Sequence, residues 1–187
     1  MKFGFDIDDT IVETYPLLER KAKELFDICL PFPNNFSVLQ DNMDETTLRK
    51  LVSHCFNDLS LMEENKDCVN FIKYLYENNI QNEFPFITAR PDDTKEKTEE
   101  MLDNILGNIT SNVKLTICKK SKIESVKEEG ITHYIEDRWK YARELADNEV
   151  KVFLRLKPWN RHSRRLYHSN IIPFRNFEYI KYKMFLE

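Results

Sequence analysis

Five short apolar runs, most of them separated by stretches of helical periodicity, constrain the fold of this chain more than any other feature. They are Lys2–Asp6, Phe84–Thr88, Val113–Ile117, Thr132–Ile135 and Val150–Leu154. Between the last four lie the amphipathic segments Asp93–Leu106, Lys122–Glu129 and Trp139–Asp147. Strands that alternate with helices pair in parallel, because a parallel connection needs a crossover long enough to hold a helix. The pattern predicts an α/β fold built on a Rossmann-like parallel sheet, closed by a helix over Asn176–Leu186. Gly130 falls where a helix C-cap belongs, one residue before the fourth run.

One stretch departs from the rhythm. Between the first run and Phe84, about 70 residues carry helical spacing and no convincing strand. Leu17, Leu18, Ala22, Leu25, Phe26 and Cys29 recur at that spacing, as do Leu51, His54, Cys55 and Leu59, and then Val69, Ile72, Leu75 and Tyr76. Pro31-Phe32-Pro33 and Asn34-Asn35 interrupt it. The expected organisation is a core of residues 1–12 and 66–187 with a small helical cap, residues 13–65, inserted after the first strand. The helix over Lys66–Asn78 then belongs to the core.

Composition narrows the function classes. At 187 residues, with thirteen Phe and eight Tyr, the chain can bury a substantial core. A net charge of −4 gives no general attraction to a nucleic-acid polymer or a membrane. No apolar run approaches the roughly 18 residues of a membrane span, and Asp6, Asp8 and Asp9 rule out a signal-peptide apolar segment. Cys29, Cys55, Cys68 and Cys118 include no C-x-x-C pair, as expected of reduced thiols. These points together lead to the expectation of a cytoplasmic protein.

The chemistry-bearing residues gather at predicted strand ends, where parallel α/β sheets bind ligands. The first run ends in Asp6-Ile7-Asp8-Asp9-Thr10. Two carboxylates so close raise the cost of ionising each other, so the site calls for a cation, a shared proton, or both. Magnesium, a hard cation that takes carboxylate and carbonyl oxygens, answers that need. Thr88 ends the second run, Lys122 opens a helix, and Glu136-Asp137 follows the fourth run. Taken singly, each has an ordinary explanation: an acidic turn with Thr10 as helix cap, a strand-terminal Thr, a solvated Lys, acids favoured by a helix dipole.

In order, FDIDDT, Thr88, Lys122 and YIEDR resemble the four motifs of the haloacid dehalogenase (HAD) superfamily, over residues 3 to 137. Lys119 and Lys120 compete for the third motif; the spacing of KIESVKEEGITHYIED favours Lys122. The resemblance implies a magnesium-dependent phosphatase in which Asp6 is the nucleophile and Asp8 the general acid–base group. It implies that Thr88 and Lys122 bind phosphoryl oxygens. The implied metal ligands are Asp6, the backbone carbonyl of Asp8, and Asp137, with Thr10, Arg90 and Glu136 as possible support; a glutamate at 136, where the family often has Asp, leaves open which of Glu136 and Asp137 is the direct ligand. FDIDDTI, the helical cap, Arg138 after the acidic pair, and Lys157-Pro158-Trp159-Asn160-Arg161 are similar to the 5′(3′)-deoxyribonucleotidase group. That similarity implies a nucleoside monophosphate as substrate. A sugar phosphate or other small phosphorylated metabolite is the alternative, and a non-catalytic binding protein the second.

Three further features carry less. Arg90 is placed either to reach a substrate or to pair with Asp92 or Asp93. Lys157, Arg161, Arg164 and Arg165, with Trp159 and His162 between them, read as a solvated loop beside the site rather than a nucleic-acid patch. Tyr15, Phe26, Phe32 and Phe36 make the cap aromatic-rich, chiefly as core.

Overall fold

The computed structural model describes residues 1–30, 36–118, 121–160 and 168–186. Six strands form one parallel sheet: β1 (Phe3–Phe5), β4 (Phe84–Thr88), β5 (Val113–Ile117), β6 (His133–Glu136), β7 (Lys151–Arg155) and β8 (Ile171–Phe174), in the order β5-β4-β1-β6-β7-β8. Two strands of two residues, β2 (Val12–Glu13) and β3 (Glu63–Glu64), pair antiparallel outside it. The helices are α1 (Thr14–Phe26), α2 (Phe36–Asn42), α3 (Glu45–Asn57), α4 (Lys66–Glu77), α5 (Lys95–Leu106), α6 (Ile123–Glu128), α7 (Trp139–Ala146) and α8 (Phe177–Met184). The expected α/β class and parallel sheet are therefore present.

Register places β1 at the centre: Phe5 lies opposite Phe86 on one side and Ile135 on the other. From β1 the chain steps outward to β4 and β5, then returns across β1 to β6, β7 and β8. This reversal at β1 opens a crevice at the carboxyl ends of the central strands. Strand side chains alternate between two apolar layers. Phe3, Phe5, Phe86 and Phe153 pack with Phe71 of α4 and Phe177 of α8. Ile87, Tyr134, Val152 and Leu154 pack against Val126 of α6 and Ala142 of α7. Gly4 is required by this packing, since a Cβ there would lie 2.6 Å from Ile131 Cδ1 and 2.9 Å from Tyr134 Cδ2. Gly130, one residue past the Glu129 cap of α6, takes the left-handed turn at φ +62° that ends the helix, next to the position expected for the C-cap.

β8 was not expected from sequence. Pro173 within it cannot donate to a sheet ladder, which is tolerated because β8 lies at the edge. Between β2 and β3 lie α1, α2 and α3, with Asp44 capping α3 by accepting from Thr47 N at 3.0 Å. On α1 the buried face is Leu17, Leu18 and Ala22, but Leu25 is 46% exposed and Cys29 lies beyond the helix. The helix stops at Phe26 because Asp27 turns left-handed at φ 56°, so the sequence periodicity overran its end. His54 likewise faces solvent on α3, beside buried Cys55. Among the described residues no helix is long and apolar enough to cross a membrane.

Candidate functional site

The site forms where β1, β4 and β6 end. Asp6 continues β1, its N–H donating to Ile135 O at 2.9 Å, which delivers a buried carboxylate to the crevice. The chain then tightens around the Ile7 carbonyl, which accepts from Thr10 N, Ile11 N and Val12 N. Asp9 makes this turn possible by adopting φ 58°, a region Asp tolerates better than most residues. Asp8 consequently projects beside Asp6 with its side chain 28% exposed.

Lys122, which immediately precedes α6, is buried with its ammonium group in contact with Asp6 Oδ1 and 2.7 Å from Glu136 Oε2. The rings of Tyr134 and Tyr141 flank it at 5.4 and 5.0 Å. Glu136 Oε1 accepts the N–H groups of Asp137 and Arg138 at 3.1 and 3.0 Å. Asp137 is held from outside the motif: Trp159 Nε1 donates to its Oδ2 at 3.1 Å, and Asn160 Nδ2 to its carbonyl at 2.7 Å. Thr88, fully buried at the end of β4, donates to Asp8 Oδ2 at 3.4 Å.

Asp6, Glu136 and Asp137 each offer a carboxylate oxygen within 4.8 Å of the others. Burial, then Glu136, pushes Asp6 up to about 8 despite Lys122 beside it. Burial, then Asp9 and Glu136, raises Asp137 well above the carboxylate range. Burial alone would pull Lys122 down, but Asp6 and Glu136 hold it protonated well above its ordinary range. Three buried acids around one lysine leave negative charge uncompensated, and their all-oxygen donor set suits a hard divalent cation. Asp8 differs. Burial opposes its ionisation, but the charge and hydrogen bonds of Arg90, with a 2.6 Å bond from Thr14 Oγ1, hold it below the ordinary range.

This geometry brings together Asp6, Asp8, Thr88, Lys122, Glu136 and Asp137, all taken from the sequence as candidates. Arg90 joins them through an ion pair that the sequence reading did not weigh: its guanidinium pairs with Asp8, at 2.8 Å. Thr10 does not cap a helix, since α1 begins at Thr14. Its hydroxyl is buried with no partner, while its carbonyl accepts from Asn65 Nδ2 at 2.8 Å. Lys119 and Lys120, and Arg161, His162, Arg164 and Arg165, lie outside the described residues.

Sequence reasoning missed Asp9, Phe56 and the holding role of Trp159 and Asn160. Asp9 is buried and pushed up to about 7 by that burial, against the pull of Lys157. The third acid of the Asp6–Thr10 run, DIDDT, was the available signal. A cavity of about 220 Å³ opens beside Asp8 and Asp137, walled by Tyr15, Leu18, Val52, Phe56 and Trp159, with Arg138 also lining it. Of the four cap aromatics, only Tyr15 is seen to line it. Phe26 packs against the core, Phe32 lies outside the described residues, and so does the side chain of Phe36.

The fold recurs in solved structures. A HAD family hydrolase from Deinococcus radiodurans, determined with bound phosphate and sodium, superposes with a TM-score of 0.65 at 10% identity, covering 98% of this chain and 94% of that one. This chain has the HAD fold. A predicted phosphoglycolate phosphatase from Haemophilus somnus also matches at TM-score 0.65, with 14% identity and 98% and 97% coverage. A HAD hydrolase of family IA, variant 3, from Entamoeba histolytica matches at 0.61, with 12% identity and 95% and 94% coverage. No protein-family profile matches the sequence, and no curated protein matches it.

The ion pairs at Lys122 lead to a stability prediction. Removing one partner of a buried pair leaves charge without compensation, at a cost of about 3–5 kcal/mol. Lys122→Ala should lower the urea midpoint of the metal-free protein accordingly, and a divalent cation should recover part of the loss. An unchanged midpoint would mean that Lys122 does not balance these acids.

Proposed function

We propose that this chain is a magnesium-dependent phosphomonoester hydrolase that works through an aspartyl phosphate on Asp6. The observation carrying the proposal is the buried trio Asp6, Glu136 and Asp137, with Lys122 bridging Asp6 and Glu136 and with Asp137 and Asp8 lining a cavity. A carboxylate nucleophile attacks in its ionised form, so both the lift of Asp6 to about 8 and its repulsion from an incoming phosphate have to be offset, which a bound cation would do. Lys122 offsets part of the repulsion. Two of its three ammonium donors serve Asp6 and Glu136, and the third would serve a phosphoryl oxygen. Thr88 would supply a second donor by turning its hydroxyl from the long 3.4 Å contact with Asp8 to the phosphate.

With one oxygen of Asp6 held by Lys122, the other attacks phosphorus as the ester P–O bond breaks. Asp8, ionised in the resting protein, takes up a proton as the charge of the phosphate arrives beside it and gives that proton to the departing oxygen. Water then attacks the phosphoryl group, Asp8 takes the proton back, and inorganic phosphate leaves with Asp6 restored. Asp6 and Asp137, with the backbone carbonyl of Asp8, would hold the magnesium. Both oxygens of Glu136 already accept hydrogen bonds, which favours Asp137 as the second carboxylate ligand. The ion supplies charge neutralisation between the acids and the phosphate.

For the leaving group, the reading is a nucleoside or deoxynucleoside 5′-monophosphate. Support comes from the motif similarity and from the apolar cavity, where the rings of Tyr15 and Trp159 lie 5.6 Å apart. Stacking on an aromatic side chain contributes roughly 1–3 kcal/mol per base, enough for one or two orders of magnitude in specificity. The cavity's size also leaves room for the alternative of a small metabolite. An engineered cavity of about 150 Å³ accepts benzene, so 220 Å³ holds one ring and little more. A panel of phosphomonoesters with magnesium tests both. Nucleotides should exceed ribose 5-phosphate and glucose 6-phosphate in kcat/KM; if sugar phosphates match or beat every nucleotide, the substrate is the small metabolite.

A further inference from the structure

Arg90 is buried, 3% exposed, and its donors are all directed at protein atoms. Nε lies 3.0 Å from Asp8 Oδ2 and 3.2 Å from Oδ1, and Nη2 lies 2.8 Å from Oδ1. Nη1 donates to Thr98 Oγ1 at 3.2 Å, and Thr98 donates onward to Thr94 O at 2.8 Å. The sulfurs of Met62 and Met101 take the remaining directions, 3.4 Å from Nη2 and 3.9 Å from Nη1. The face of the guanidinium lies over the ring of Phe56, on α3, 4.8 Å from its centroid. A guanidinium has five N–H donors. Here none is left over for a phosphate.

We infer that Arg90 is a positioning residue that aims the Asp8 carboxylate, and that Phe56 fixes Arg90 in turn. The inference rests on the hydrolase reading of Asp6 and Asp8. Asp8 Oδ1 is clamped by Arg90 and by Thr14 at 2.6 Å, whereas Oδ2 carries only the Nε bond and the long contact from Thr88. Oδ2 is therefore the oxygen free to exchange a proton with the leaving group and then with water. Rotation of the carboxylate would carry Oδ2 away from the reacting atoms, and the planar fork of Arg90 prevents it. Because Phe56 comes from α3, that helix bears on the aim of Asp8 through Arg90, whereas α1 reaches Asp8 directly through Thr14.

The test compares an alkyl phosphomonoester, whose leaving oxygen needs a proton, with p-nitrophenyl phosphate, whose leaving group does not. Arg90→Met should lower kcat for formation of the phosphoenzyme from the alkyl ester about 10²–10³-fold, within the range of general acid–base effects. KM should stay unchanged, the nitrophenyl ester should lose under tenfold in the same step, and Arg90→Lys should restore part of the rate. In an Asp8→Asn background, Arg90→Met should cost nothing further, because its role acts through Asp8. Phe56→Leu, which removes the ring but no charge, should show the same alkyl-selective loss on a smaller scale, and it decides the matter if Arg90→Met does not fold. Equal losses on both esters, a raised KM, or a second loss in the Asp8→Asn background would overturn the role of Arg90 alone. Absence of turnover by the wild-type protein on any phosphomonoester would overturn the hydrolase reading and this role with it.

Discussion

Asp6→Asn should abolish turnover of every phosphomonoester the wild-type protein hydrolyses, together with covalent labelling by substrate phosphate. The loss should reach about 10⁴-fold or more, the scale seen when a nucleophile that acts with its neighbours as a unit is removed. Asparagine keeps an acceptor for Lys122 but lacks the charged oxygen that attacks phosphorus. Stability should move the other way. Burial and Glu136 raise Asp6 from its ordinary 3.8 to about 8, so the metal-free folded protein binds a proton there that the unfolded chain gives up. Its contribution to stability is complete below the ordinary value and is lost as pH rises through the folded one. Asparagine does not titrate, so metal-free Asp6→Asn should lose less stability than wild type between pH 5 and pH 8 in urea unfolding. A variant that turns over substrate at the wild-type rate would refute the nucleophile assignment. A variant that unfolds more readily at pH 8 would refute the account of the charge.

Exhaustive chelation should reduce phosphatase activity to background, and magnesium should restore it. Asp6, Glu136 and Asp137 converge on a buried point with one lysine among them. An incoming phosphate would add at least one more negative charge, which the chain's own cations at that point do not balance. A folded-state ligand stabilises by about 2.7 kcal/mol at a hundred times its dissociation constant. Magnesium should therefore also raise the thermal midpoint of the wild-type protein, and Asp137→Asn should blunt that rise. Calorimetry measures this without reference to any substrate. Full activity after chelation would end the metal-assisted mechanism.

The strand ends were legible because apolar runs terminating in acid or hydroxyl are local signals. Val113–Ile117 and Phe84–Thr88 hold as read, and Asp6, Thr88 and Glu136-Asp137 sit at the carboxyl edge of the sheet. Lys122 was legible by its spacing from the acidic pair. The partner of Arg90 was not, because Asp8 lies 82 positions away while Asp92 and Asp93 stand next to it in sequence. Phe56 and Trp159 come to the cavity from α3 and from the loop after β7, and nothing local marks either as a wall of that cavity. β8 was hidden by Pro173, which speaks against a strand unless the strand is known to be at an edge. Sequence reading recovered what each element says about itself; it did not recover which distant side chain completes a charge or a wall.

The central position of β1 has a consequence for how the chain comes together. Phe3–Phe5 is synthesised ahead of both strands that will flank it, and its two edges close only when Phe86 and then Ile135 arrive. Contacts so distant in sequence require long loops to close before they repay their entropy, and such topologies fold slowly. Until then a short, fully apolar strand has open edges on both sides, the kind of surface through which nascent chains pair wrongly with one another. The acids that follow it, Asp6, Asp8 and Asp9, would carry their charge in water at that stage, and like charges on neighbouring chains repel. The run that carries the proposed nucleophile is thus also placed to discourage aggregation before the sheet exists.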